Sequence, residues 1–154
     1  MNVKTSDTNN IHPTAIISEG AVVAPSSKIG AYTVINGEVN IGNNVNIHNN
    51  VNIGGENSIV KIGDNCQIFP FASIGSAPQD LKYKGNKTKL TIGQGNIFRE
   101  HATVNIGTED GGGITQIGDG CLFMIGTHIA HDCVVGNDVI LANNATLAGH
   151  VEVG

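Results

Sequence analysis

The segment Gly126-Thr127-His128-Ile129-Ala130-His131-Asp132-Cys133 holds two histidines and a carboxylate within five residues, and His150 follows nineteen residues after His131. An imidazole titrates near neutral pH and can take a proton from a hydroxyl group. Two histidines beside an aspartate on one surface are therefore equipped for general-base chemistry. The plainer alternative is a set of surface histidines on a polar face.

Three other groupings carry possible chemistry. The stretch APQDLKYKGNKTK holds Gln79, Asp80, Lys82, Lys84, Lys87 and Lys89, with four of the eight basic residues of the chain. Asp80 suits a sugar hydroxyl, and the lysines suit phosphate or an acidic protein; a solvated charged loop is the plain reading. The run Gly111-Gly112-Gly113 permits close backbone approach to a phosphate. It precedes no helix, so a P-loop is excluded and a flexible loop is expected. The six histidines, His12, His48, His101, His128, His131 and His150, raise a metal site. A catalytic zinc needs three protein ligands within reach, and no spacing here fixes three together, so no resident metal is expected.

The elements that position these residues are set by a period of six. Ile11, Ile17, Val23, Ile29, Ile35, Ile41, Ile47 and Ile53 are spaced by six, and all are Ile or Val. Ile117, Phe123, Ile129, Val135, Leu141, Leu147 and Val153 repeat the pattern. Only 40% of the chain is apolar, so neither run is a product of chance. Two residues before each anchor stands a smaller inward residue, such as Ala15, Ser27, Thr33, Val45, Cys121, Thr127 or Ala145. Alternation over three residues marks a short strand, and recurring Gly, Asn and Asp mark the turns between strands. A period of six matches no helical face.

Three hexads make a triangular coil of eighteen residues, as Gly118, Gly136 and Gly154 repeat. About seven coils would stack as parallel strands roughly 4.8 Å apart. In that geometry Ile129 points inward, His128 faces outward, His131 sits near a corner, and His150 lies beside His131 one coil on. Cys66, Cys121 and Cys133 take the small inward position and are expected to be buried apolar residues.

The repeat breaks three times, and interruptions of a solenoid often carry its site. A three-residue slip separates Ile53 from Ile62 around Gly54-Gly55-Glu56-Asn57. Residues 76–89 are expected to leave the prism as a loop, and residues 105–114 as a second. The domain reading is a polar extension over 1–10 and one β-helix domain over 11–154. With no capping helix after the anchor Val153, further coils and a cap are expected beyond Gly154.

Composition narrows the classes. Aromatics are 4%, charged residues 14%, and there are 21 glycines and no tryptophan. The core must therefore be built from many similar aliphatic residues. A net charge of −5 argues against nucleic acid as a partner. Three cysteines without CxxC pairing fit a reducing compartment. With no apolar leader in MNVKTSDTNN and no membrane span, a cytoplasmic location is expected.

HPTAII, FASIGSAPQDLKY, the stretch from Arg99 through GGGIT, and above all LFMIGTHIAHDCVVGNDVILANNATLAGHVEVG resemble the UDP-N-acetylglucosamine O-acyltransferases that begin lipid A synthesis. The resemblance runs from Ile11 onward and implies that the coils wind left-handed. It implies transfer of a hydroxyacyl chain from acyl carrier protein to the glucosamine 3-hydroxyl of UDP-N-acetylglucosamine. His131 would be the general base, Asp132 would orient it, and the Gly149 N–H would meet the thioester oxyanion. Gln79, Asp80, Lys82, His128 and His150 would hold the sugar nucleotide. A homotrimer with sites between subunits is implied, with no cofactor. The family's Arg near Asn105-Ile106-Gly107-Thr108 is absent here. The related N-acyltransferases share the coils and a catalytic histidine; the QDLKY loop favours the O-acyltransferases. The His128/His131 spacing does not match the zinc hydratases of this fold. A non-catalytic solenoid would need a regular array of threonines, and the outward positions here are mixed.

Overall fold

A computed structural model describes residues 10–154, so all but Asn10 of the polar extension read over 1–10 lies outside the described residues. The chain is the expected left-handed parallel β-helix, and among the described residues every strand pairing is parallel. On the first face Ile17, Ile35, Ile53, Ile74, Val104, Ile129 and Leu147 stack in register. On the second stand Val23, Ile41, Ile62, Ile92, Ile117, Val135 and Val153. The third carries Ile11, Ile29, Ile47, Ile68, Phe98, Phe123 and Leu141. These columns are the hexad anchors, and they make seven coils.

The anchors fill the prism. Those of the middle coils are fully buried, while Ile17, Val23 and Leu147 near the ends are partly buried. Burying one such side chain contributes about 1.5–3 kcal/mol. Phe98 and Phe123 stack with ring centroids 4.8 Å apart, matching the coil spacing.

The small inward position has a second duty. Its polar members bind the turn backbone of the next coil. Ser27 Oγ donates to the Gly42 carbonyl at 2.7 Å, Thr33 Oγ1 to that of His48 at 2.7 Å, and Asn96 Nδ2 to that of Gly118 at 2.8 Å. The three buried thiols take the same place, with Cys66, Cys121 and Cys133 Sγ at 3.3, 3.2 and 3.1 Å from the carbonyls of Gly93, Gly136 and Ala148. Burial pushes all three thiols above their ordinary pKa, which keeps them protonated and able to donate.

All the irregularity falls on one corner. From first face to second, Ile53 to Ile62 takes nine residues, Ile74 to Ile92 eighteen and Val104 to Ile117 thirteen, where every other step takes six. The shortest of these does not project. Asn52–Ile62 is one continuous strand beside Val34–Ile41. Gly37 and Gly54 adopt positive φ values of 86° and 75°, which lets the paired chains turn the corner together. Ser58 then ties the extra residues down, accepting from Gly55 N–H at 2.6 Å and donating to its carbonyl at 2.9 Å. The two expected loops are shorter than their phase breaks suggested. Ser76 ends the strand Ser73–Ser76, and Thr88 and Lys89 begin Thr88–Ile92. Asn105 ends Thr103–Asn105, and Ile114 opens Ile114–Ile117. Cross-coil pairing holds these flanking residues even where the hexad anchor is lost. Among the described residues no helix is long and apolar enough to cross a membrane.

Candidate active site

His131, Asp132, Gly149 and His150 stand on the corner that carries the insertions, between the anchors Ile129 and Val135 and between Leu147 and Val153. His131 occupies the first turn position and Asp132 the second. Asp132 has a φ of 59°, a left-handed conformation that Asp adopts more readily than most residues. This turn sends its side chain back under the adjoining coil, where the carboxylate is 1% exposed.

A carboxylate so buried needs donors on both oxygens. Oδ1 accepts from Thr108 N–H at 2.8 Å. Oδ2 accepts from Thr108 Oγ1 at 2.5 Å and faces His131 Nδ1 at 2.8 Å. The backbone N–H of Asp132 donates to Thr115 Oγ1 at 2.8 Å. An ionised carboxylate only accepts, so a neutral His131 imidazole facing it carries its proton on Nδ1 and its lone pair on Nε2.

The imidazole of His131 lies flat over Gly149. A Cβ at position 149 would stand 2.6 Å from His131 Cε1 and 2.7 Å from Nε2, closer than real contacts allow. A side chain at 149 would therefore push the His131 ring aside. His150, one coil on, donates its N–H to the His131 carbonyl at 3.1 Å. The two rings meet edge to face at 5.1 Å between centroids. Its Nε2 is 4.0 Å from Asp132 Oδ2, and its side chain is more than half exposed. The expected neighbourhood of His131 and His150 is thus present within one chain.

His128 is on the strand His128–Ile129, and its Nδ1 lies 2.7 Å from Thr103 Oγ1. Burial, then the nearby charge of His131, hold its pKa below the ordinary value. Neutral His128 is a hydrogen-bonding group at physiological pH.

The loop residues are arranged apart from the imidazoles. Asp80 Oδ1 accepts from Lys82 N–H at 2.9 Å, Tyr83 N–H donates to the Asp80 carbonyl at 3.0 Å, and Tyr83 OH donates to the Asn86 carbonyl at 2.7 Å. Gln79, Lys82 and Leu81 are exposed, Leu81 almost fully. Lys87 pairs with Glu38, and Asn86 Nδ2 donates to Glu109, so the loop is tethered at both sides. Between the two insertions lies a cleft of about 380 Å³, lined by Asp80, Lys82, Tyr83, Lys84, Thr108 and Glu109 among others. No hydrogen bond or ion pair among the described residues joins Gln79, Asp80 or Lys82 to His131 or His150.

One sequence reading changes, and one residue was missed. The glycine run is not a slack loop. Gly111 and Gly113 N–H both donate to the Thr108 carbonyl, at 3.1 and 2.7 Å, and a Cβ at Gly111 would overlap the Asp132 carboxylate. Thr108 was not singled out at all, because it lies inside an insertion where the hexad gives no register. Its neighbour Ile106 is buried in the core.

His131, Asp132 and His150 could also offer a metal three ligand atoms, all within 4.8 Å of one another. Asp132 Oδ2 and His131 Nδ1 sit at hydrogen-bond distance, however, and Oδ2 also takes the Thr108 hydroxyl. A metal there would have to displace bonds already made, so the donor set fits a proton-transfer pair better than a cation cage.

Residues 114–149 match the bacterial transferase hexapeptide family (six repeats). Over 146 residues the chain is 47% identical to the acyl-[acyl-carrier-protein]–UDP-N-acetylglucosamine O-acyltransferase of Campylobacter concisus, spanning 94% of this chain and 55% of that protein. Among solved structures, LpxA from Acinetobacter baumannii superposes with a TM-score of 0.88 at 46% identity, over 94% of this chain and 55% of that one. UDP-N-acetylglucosamine acyltransferase from Campylobacter jejuni gives 0.85 at 46% identity, over 92% and 54%. The chain spans about half the length of these relatives.

Proposed function

We infer that this chain belongs to the UDP-N-acetylglucosamine O-acyltransferases, and we propose that its corner of histidines is the hydroxyl-activating part of their site. In this reading His131 Nε2 removes the proton of the glucosamine 3-hydroxyl, an otherwise weak nucleophile. The oxygen attacks the thioester carbonyl of an acyl carrier protein. The new C–O bond forms, the C–S bond breaks, and the proton held on His131 passes to the leaving thiolate. Asp132 holds the imidazole and stabilises its charged form, and the Gly149 N–H stabilises the negative charge that develops on the carbonyl oxygen. His128, His150, Gln79, Asp80 and Lys82 bind the sugar nucleotide. No metal or cofactor takes part.

The observation that supports this most is the 2.8 Å contact of His131 Nδ1 with Asp132 Oδ2, which leaves Nε2 as the basic atom over Gly149. Because the loop residues do not reach the imidazoles within one chain, a homotrimer in which neighbouring prisms bring them together is part of the proposal. So are the lipid A pathway and a cytoplasmic setting.

The test is transfer from hydroxyacyl carrier proteins of several chain lengths to UDP-N-acetylglucosamine, beside His131→Ala. Loss of the base should lower turnover at least about a hundredfold. Near-normal turnover in that variant would remove His131 from the reaction.

A further inference from the structure

We propose that Thr108 is a positioning residue that selects which imidazole Asp132 engages and so fixes the tautomer of His131. The proposal rests on reading His131 as the base, and its spectroscopic test stands apart from that reading.

Two imidazoles compete for one oxygen. Asp132 Oδ2 lies 2.8 Å from His131 Nδ1 and 4.0 Å from His150 Nε2. Rotation of the carboxylate would change this balance, and Thr108 prevents rotation by binding both oxygens. Its N–H holds Oδ1 at 2.8 Å and its hydroxyl holds Oδ2 at 2.5 Å. The direction of the hydroxyl is itself set. Gly111 N–H donates to a lone pair of Thr108 Oγ1 at 3.1 Å, which leaves the hydroxyl's own hydrogen to point at the carboxylate. Gly111 then covers the carboxylate so closely that no side chain fits there. Thr108 is 4% exposed, so water is a poor substitute donor. A run of hydrogen bonds thus passes from the insertion to the base: Gly111 N–H to Thr108, Thr108 to Asp132, His131 Nδ1–H to Asp132.

Three forms of the whole chain decide the matter: the parent, Thr108→Val and Thr108→Ser. Nitrogen-15 NMR above the histidine titration range reads the His131 tautomer directly. The parent and Thr108→Ser should show a protonated Nδ1 and a bare Nε2. Thr108→Val keeps the backbone N–H and the branched shape but lacks the hydroxyl; it should show mixed tautomers. Its kcat should fall about tenfold, part of the base's full contribution, with KM for the sugar nucleotide little changed. Thr108→Ala, which also lacks the hydroxyl but keeps the backbone N–H, should give the same signature and serves if Thr108→Val does not fold. A His131 that stays protonated at Nδ1 alone in the folded variants overturns the proposal, as does a Thr108→Ser variant as impaired as Val. Mixed tautomers in Thr108→Val with kcat unchanged would uphold the positioning and sink the reading of His131 as the base instead.

Discussion

Two corners of the same prism put aspartates to opposite uses. On the corner between the second and third faces, Asp64 Oδ1 accepts from Asn43 N–H at 2.7 Å and Asp119 Oδ1 from Gln94 N–H at 2.8 Å. Asn137 Oδ1 continues the series, accepting from Asp119 N–H at 2.8 Å. These side chains are water-accessible and cap one coil with the next. On the corner between the first and second faces, Asp132 is buried, bound by an insertion and turned toward an imidazole. The two kinds also differ in turn position: Asp64 and Asp119 stand first in their turns, whereas Asp132 stands second, with a φ of 59°. Beyond turn position, what separates the two is the seven-residue excess between Val104 and Ile117, which supplies Thr108 and Gly111.

That contrast can be broken by substitution. Asp132→Asn should lower kcat about a hundredfold, because an amide can donate to His131 and reverse its tautomer; Asp119→Asn should leave kcat alone. Equal effects of the two would erase the distinction. Gly149→Ala comes next. Its methyl group must displace the His131 ring, and turnover should fall at least about tenfold with little change in unfolding midpoint. Asp119→Ala sharpens the other side, losing about 1 kcal/mol in denaturant unfolding for one lost hydrogen bond to the backbone, with activity intact.

The smallest effect concerns pH. Folded His128 resists protonation, so its pKa lies below the 6.5 of an unperturbed imidazole. The unfolded chain then takes up more protons as pH drops below about 6.5, and the contribution of His128 to stability declines from there downward. In His128→Asn that part of the acid sensitivity should vanish from the unfolding curve.

The interior was legible in the sequence because each hexad makes the same demand. A residue such as Ile35 or Phe98 declares its column without reference to any other. The imidazoles inherited that register through Ile129 and Leu147, so the pairing of His131 with His150 followed from counting. Thr108 did not, because regular coils of eighteen residues would set it against Gly126; only the added length brings it to Asp132. Asp80 and Lys82 lie in a loop with no repeat, so nothing in their spacing fixes their neighbours. The polar duty of Cys66, Cys121 and Cys133 was also hidden, since a thiol reads as a small apolar filler until the carbonyl opposite it is known.

Every surplus residue is spliced into a single edge, and the consequence is modularity. The inner columns never register how long a splice is, since the chain re-enters at the same rung whether three residues have been added or twelve. Such a scaffold can trade recognition segments along that edge as cassettes while its interior needs no re-solving. Under the proposed function, exchange of the segment between Ser76 and Thr88 should change acceptor preference while His131 and Asp132 keep their places.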